Sequence, residues 1–138
     1  MPTRGYRNNN PLNIEISNYK PWKGEIRPSQ DYRYAQFKTM AYGFRAAFKL
    51  LYNYQHKYDC KQLADFITRW APPSENNTRA YIDFVANRCH ISDLTTIDTR
   101  DEKLMIAIVA AMARMRNGIE PDMDDVQEGW QLFNYDVI

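Results

Sequence analysis

A chain of 138 residues is long enough to bury a hydrophobic core of its own, and 44% apolar with 25% charged residues is a globular balance rather than a disordered one. With 18 basic residues against 17 acidic ones, the formal net charge of +1 lacks the basic excess of a dedicated nucleic-acid binder. Cys60 and Cys89 lack CxxC spacing, and with only His56 and His90 beside them they form no recognisable ligand set. Two free, buried thiols and no metal are the expectation.

The first ten residues, Met1 to Asn10, are polar and have no apolar signal-peptide core. The longest apolar run, Leu104 to Ala113, is about half of the roughly 20 residues that span a bilayer. These features predict a soluble chain without an export signal, made in the cytoplasm and not inserted in a membrane. Residues 1–38 hold no helical period. Asn8-Asn9-Asn10-Pro11 reads as a turn, while Asn13 to Ser17 and Tyr34 to Lys38 alternate polar with apolar residues. With Pro21 and Gly24 between them, they predict two short strands of a hairpin.

From Thr39 the period becomes helical. Phe44, Ala47, Phe48, Leu51 and Tyr58 predict a helix near 40–58 with one face inward. Leu63, Ala64, Ile67 and Trp70 mark a second, stopped by Pro72-Pro73. Ala80, Tyr81, Phe84 and Val85 mark a third, starting near Asn76 to Thr78. A fourth has Thr99 as predicted N-cap with Glu102 reaching back to it, and it ends at Asn117-Gly118 in a left-handed C-cap. Its stretch Leu104 to Ala113 is apolar all round and reads as buried on every side. A fifth, near Asp122 to Phe133, turns Met123, Val126, Trp130 and Phe133 inward. The fold class is therefore α+β and mainly helical: one domain over 1–138, a small N-terminal hairpin and about five helices around one buried helix.

The five glycines form no phosphate-binding loop, and there is no GxSxG elbow. Cys89 and His90 are sequence neighbours, which does not make a thiol hydrolase pair. Ten tyrosines and three tryptophans are many for this length, and exposed ones make flat platforms for sugar rings. A glycosidase also needs carboxylates, an acid for the leaving oxygen and a second group as base or nucleophile. Glu15, Glu25, Asp31, Glu75, Glu120 and Asp122 lie in or beside loops, and periodicity does not choose among them.

Arg4-Gly5-Tyr6-Arg7-Asn8-Asn9-Asn10-Pro11-Leu12-Asn13-Ile14 resembles the RGIRNNNPGNI opening of small phage and prophage proteins of lysozyme-like, murein hydrolase type, often labelled structural proteins. The resemblance continues through Trp22-Lys23-Gly24, Tyr42-Gly43-Phe44-Arg45-Ala46 and Arg69-Trp70-Ala71-Pro72-Pro73-Ser74-Glu75-Asn76. The opening is also distantly similar to the NNLFGIK-type stretch that lines the cleft of bacterial cell-wall glucosaminidases. Where the phage-type family carries HENG, here stand Met115-Arg116-Asn117-Gly118, and a guanidinium is no acid at neutral pH. PGNIR becomes Pro11-Leu12-Asn13-Ile14-Glu15, so the two charge changes are opposite in sign and suggest a Glu15–Arg116 pair across a cleft.

The resemblance implies a lysozyme-like glycoside hydrolase directed at peptidoglycan, of muramidase or glucosaminidase type, needing no cofactor. Its activity is weak or lost unless Glu15 or Glu120 replaces the missing glutamate. The other reading is a non-catalytic glycan-binding or virion structural protein. Asn8, Asn9, Asn10, Asn13, Trp22, Tyr32, Tyr34 and Asn117 are the expected substrate-binding residues, with Tyr19 also near sugar. The expected partner is a peptidoglycan glycan strand met by a monomer, with no nucleic acid; the periplasm or a virion is the destination this implies.

Overall fold

The computed structural model describes residues 2–137. Among them the chain forms six helices and one two-stranded antiparallel sheet: α1 (Arg4–Arg7), β1 (Glu25–Ile26), β2 (Gln36–Phe37), α2 (Met40–Tyr58), α3 (Leu63–Trp70), α4 (Thr78–Cys89), α5 (Glu102–Asn117) and α6 (Met123–Val137). The fold is thus mainly helical, as the periodicity predicts. No helix of the described residues is long and apolar enough to cross a membrane.

Helix α2 begins where the Thr39 hydroxyl accepts from the Tyr42 N–H, and ends at Asp59, whose φ of 56° is left-handed. Its face of Phe44, Ala47, Phe48 and Leu51 is buried, and it packs most extensively on α6. There Val126, Trp130 and Phe133 meet it, with Phe48 edge-on to Trp130 at 5.2 Å between ring centroids. No residue of α5 from Leu104 to Ala113 is exposed, and this helix packs on α4, α6 and α2. Gly118 closes it at φ 77°. Helix α3 stops at Ala71, just before Pro72-Pro73.

The structure differs from the sequence-based expectation in four places. The N-cap of α5 is Asp101, whose carboxylate accepts from Leu104 N–H. Thr99 is instead buried, and both its N–H and its hydroxyl donate to Gln55 Oε1 on α2. Residues 13–17 and 34–38 do meet, through an antiparallel bridge of Glu15 with Tyr34, but the two-residue ladder joins Glu25–Ile26 to Gln36–Phe37. A left-handed Asn13 (φ 52°) bends the chain there, and the Asn10 side chain takes the Ile14 and Ala35 carbonyls. Helix α1, a single turn capped by Thr3, is too short to show a period. Finally, Ala80 and Met123 are exposed and Phe84 is only half-buried. Both cysteines are free, Cys60 buried and Cys89 partly so.

The N-terminal segment is fastened to α5 by one amide. Asn117 Nδ2 donates to the carbonyls of Pro11 (2.8 Å) and Ala113 (3.0 Å), while its Oδ1 accepts from the Thr3 hydroxyl (2.8 Å). Asn117→Ala removes all three bonds from a buried site, at a cost of about 2–3 kcal/mol. Urea unfolding followed by circular dichroism should show that loss as a lower midpoint with an unchanged slope; an unchanged midpoint would rule the fastening out.

Candidate functional site

The wall that carries Glu15 is built by the asparagine-rich opening. Asn10 is fully buried; its Nδ2 donates to the Ile14 (2.9 Å) and Ala35 (2.8 Å) carbonyls and its Oδ1 accepts from Ile14 N–H (2.9 Å). Asn9 Nδ2 donates to the Phe37 carbonyl (3.1 Å), and Asn8 Nδ2 donates to Asp31 (3.1 Å). Two glycines let this segment approach the helices. A Cβ on Gly43 would lie 2.1 Å from the Asn9 carbonyl oxygen, and one on Gly5 would lie 2.6 Å from Asn117 Oδ1.

Asp31 ties this opening to the loop before β2. It accepts from Arg4 Nε and a second guanidinium nitrogen at 2.6 and 2.7 Å, and from the N–H groups of Arg33 and Tyr34 at 2.8 and 3.0 Å. The Arg4 bond, reinforced by these two N–H groups and Asn8 against the opposing effect of burial, holds the Asp31 carboxyl well below the usual carboxylate range. Arg4 in turn lies over the Tyr32 and Tyr34 rings, at 4.7 and 4.6 Å to their centroids.

Between this wall and the helices runs a groove. Its first compartment, about 500 Å³, has Asn13, Glu15, Arg33 and Tyr34 on the N-terminal side. Tyr54 of α2, Trp70 ending α3, Glu75 and Asn76 of the following loop, and Arg116 near the end of α5 complete it. A second compartment of about 820 Å³ shares Leu50 and Tyr54 with the first, and continues past Tyr19, Lys20, Trp22, Lys57, Tyr58 and Arg69. Aromatic faces, amides and charged groups thus converge in one concave surface, the usual composition of a polar-ligand site.

Glu15 and Arg116 line the same compartment, but the ion pair suggested by the sequence does not form. The Glu15 carboxylate, 61% exposed, is held by the Arg33 guanidinium at 2.8 Å. Arg33 wins because the Glu15–Tyr34 bridge seats it beside Glu15. Among the described residues Arg116 has no carboxylate within 4 Å, its Nε is buried without a hydrogen-bond partner, and its guanidinium stands 5.9 Å from the Trp70 ring centroid. Asn13 Oδ1, on the same lining, is also buried and unpartnered.

Of the residues expected to act on or bind sugar, the groove collects Glu15, Asn13, Tyr34, Trp22 and Tyr19. Asn8, Asn9, Asn10 and Asn117 are engaged in the scaffold bonds above, and Tyr32 projects into solvent beside Arg4. Glu120 lies on the surface with Arg88 at 2.7 Å and Arg114 at 3.5 Å, away from the groove lining. Sequence reasoning had no means to prefer Glu75 among the loop acids, and it did not select Arg33, Tyr54 or Asn76. Only the Trp70-to-Asn76 stretch of the resemblance pointed toward that loop. Burial pushes the Cys60 thiol up and the Cys89 thiol up to about 11, so neither is an activated nucleophile.

No family model matches the chain. It is 38% identical over 135 residues to Protein P5 of Pseudoalteromonas phage PM2, an alignment covering 93% of this chain and 80% of that protein.

Because the folded carboxyl of Asp31 is depressed, its stabilising effect is present above the ordinary aspartate value of about 3.9 and fades as the pH falls below it. Asp31→Asn should therefore lower stability at pH 7, and the gap to the parent should narrow steadily between about pH 4 and pH 2. Thermal unfolding across that range checks it. A gap that stays constant would mean that the Arg4–Asp31 contact adds nothing through charge.

Proposed function

The chain belongs to the family of Protein P5 of Pseudoalteromonas phage PM2, and from that premise we propose that it is a phage-type, peptidoglycan-directed glycoside hydrolase formed as a single lysozyme-like domain. The observation that carries this reading is one groove that brings two carboxylates, Glu15 and Glu75, from separate parts of the chain to a lining that also holds Tyr34, Tyr54 and Trp70. A glycan strand offers flat apolar ring faces for such aromatics and amide groups for Asn13 and Asn76.

Cleavage of a glycosidic bond calls for two carboxyl groups in different roles. Glu15, in contact with Arg33, suits the carboxylate that faces positive charge developing on the sugar ring. Glu75, an exposed acid of the loop after α3 on the same lining, would be the group that gives its proton to the leaving oxygen. Arg116 does neither; it stands in the groove as a cation for the acidic substituents of the strand. A second reading, a glycan-binding protein without catalysis, is favoured by the wide exposure of Glu15 and by Arg116 standing where the resembling family has glutamate.

Purified peptidoglycan, followed by turbidity and released reducing ends, separates the two. The parent should release reducing ends, and Glu15→Gln and Glu75→Gln should each lower the rate by about a hundredfold or more. A parent that pulls down with peptidoglycan but releases nothing would leave the binding reading. Full activity in both variants would remove the two-carboxylate site.

A further inference from the structure

The two compartments of the groove differ sharply in charge. The first holds Glu15 and Glu75 with Arg33 and Arg116, a balanced set. Among the described residues the second is lined by Lys20, Lys57 and Arg69 and by no carboxylate. An adjoining shallow depression, which shares Tyr58 and Arg69 with it, is lined by Asp59 and Asp65. Asp59 there is paired with Lys61 at 3.8 Å, and Asp65 accepts from the Lys61 and Gln62 N–H groups. Among the described residues neither Lys20 nor Lys57 has a carboxylate within 4 Å, and the Arg69 guanidinium carbon stands over the Tyr58 ring, 3.5 Å from its centroid. These cations share the lining with aromatic side chains, of which Tyr19 and Tyr58 are 85% and 54% exposed.

We propose that this second compartment is an anion-binding subsite that takes the carboxylate-bearing substituents of a glycan strand, with the ring faces lying on its aromatics. The inference rests on the glycan reading of the first compartment, with which it shares Leu50 and Tyr54. In peptidoglycan those substituents are the carboxylates of the stem peptides, or the lactyl carboxylates freed where a peptide has been removed, so the groove selects a peptide-bearing strand over a neutral one. Three cations with aromatics could also seat single-stranded nucleic acid. A phosphate backbone that ran on through the groove would meet Glu15 and Glu75, however, and the chain as a whole carries only +1.

Four probes test it by titration with the Trp22-containing protein's own fluorescence, in the Glu75→Gln background so that saccharides stay intact. They are chitin hexaose, an amidase-stripped glycan oligomer whose carboxylates are the lactyl groups freed by that cleavage, a peptide-bearing oligomer of equal length, and oligothymidylate. Affinity should rise along the three saccharides in that order. The exposed pair Lys20→Gln/Lys57→Gln should weaken the peptide-bearing oligomer about fivefold while leaving chitin hexaose within about twofold. Equal affinity for all three saccharides, unmoved by the double substitution, would overturn the subsite and leave glycan binding standing. Tighter binding of oligothymidylate than of the peptide-bearing strand would overturn it in favour of nucleic acid. Binding of no saccharide would end the glycan reading and the subsite with it.

Discussion

The structure depends on a set of buried amides that bind backbone. Asn10 and Asn117 each make three hydrogen bonds, and five of the six run to main-chain groups of Pro11, Ile14, Ala35 and Ala113. A short polar segment has little apolar surface with which to dock on a helical body. Backbone groups buried in such a segment still require partners, and an amide offers two donors and an acceptor at once. The asparagine-rich opening therefore works as mortar between the N-terminal segment, α5 and β2. Leu12 and Ile14, buried between these amides, supply the apolar contact.

The groove follows from that fastening. Once Asn10 holds Ile14 and Ala35 together, Glu15 and Tyr34 come into bridge register, and Arg33 is carried to Glu15. The opposite side comes from the helices: α2 contributes Tyr54, the stop at Pro72-Pro73 throws Glu75 and Asn76 out of helix, and the last turn of α5 supplies Arg116. Asp31, bonded at once to Arg4, Asn8 and the Arg33 and Tyr34 N–H groups, braces the N-terminal side against α1. Rigidity on one wall and a proline-ended helix on the other are a suitable frame for a strand-like polar ligand, since little ordering remains to be done on binding.

Helices α2, α3, α5 and α6 were legible because each repeats apolar residues at helical spacing, and two of them also carry a stop: a left-handed cap at Gly118 ends α5 and prolines follow Trp70 of α3. Thr99 misled because Thr-x-x-Glu is a start signal only when the hydroxyl is free to cap, and Gln55 on α2 had taken it. The asparagines misled in the same way. As sequence they look like polar groups reaching for ligand; three of the four in the opening, with Asn117, are engaged with the chain itself. Glu75 gave no local sign, since a loop acid looks alike whether it faces solvent or a groove.

What the sequence determined by itself is what local physics decides: a chain able to bury a core, and most of its longer helices. Chain length, apolar spacing and caps act over a few residues, so they can be read without knowing where distant segments lie. Tertiary structure alone decided which charges meet. Glu15 joined Arg33 and not Arg116, Glu120 joined Arg88 outside the groove, and Glu75 came to line the compartment that holds Glu15. Those outcomes depend on the packing of segments far apart in sequence, and a charge carries no record in its own neighbourhood of the partner that packing will bring.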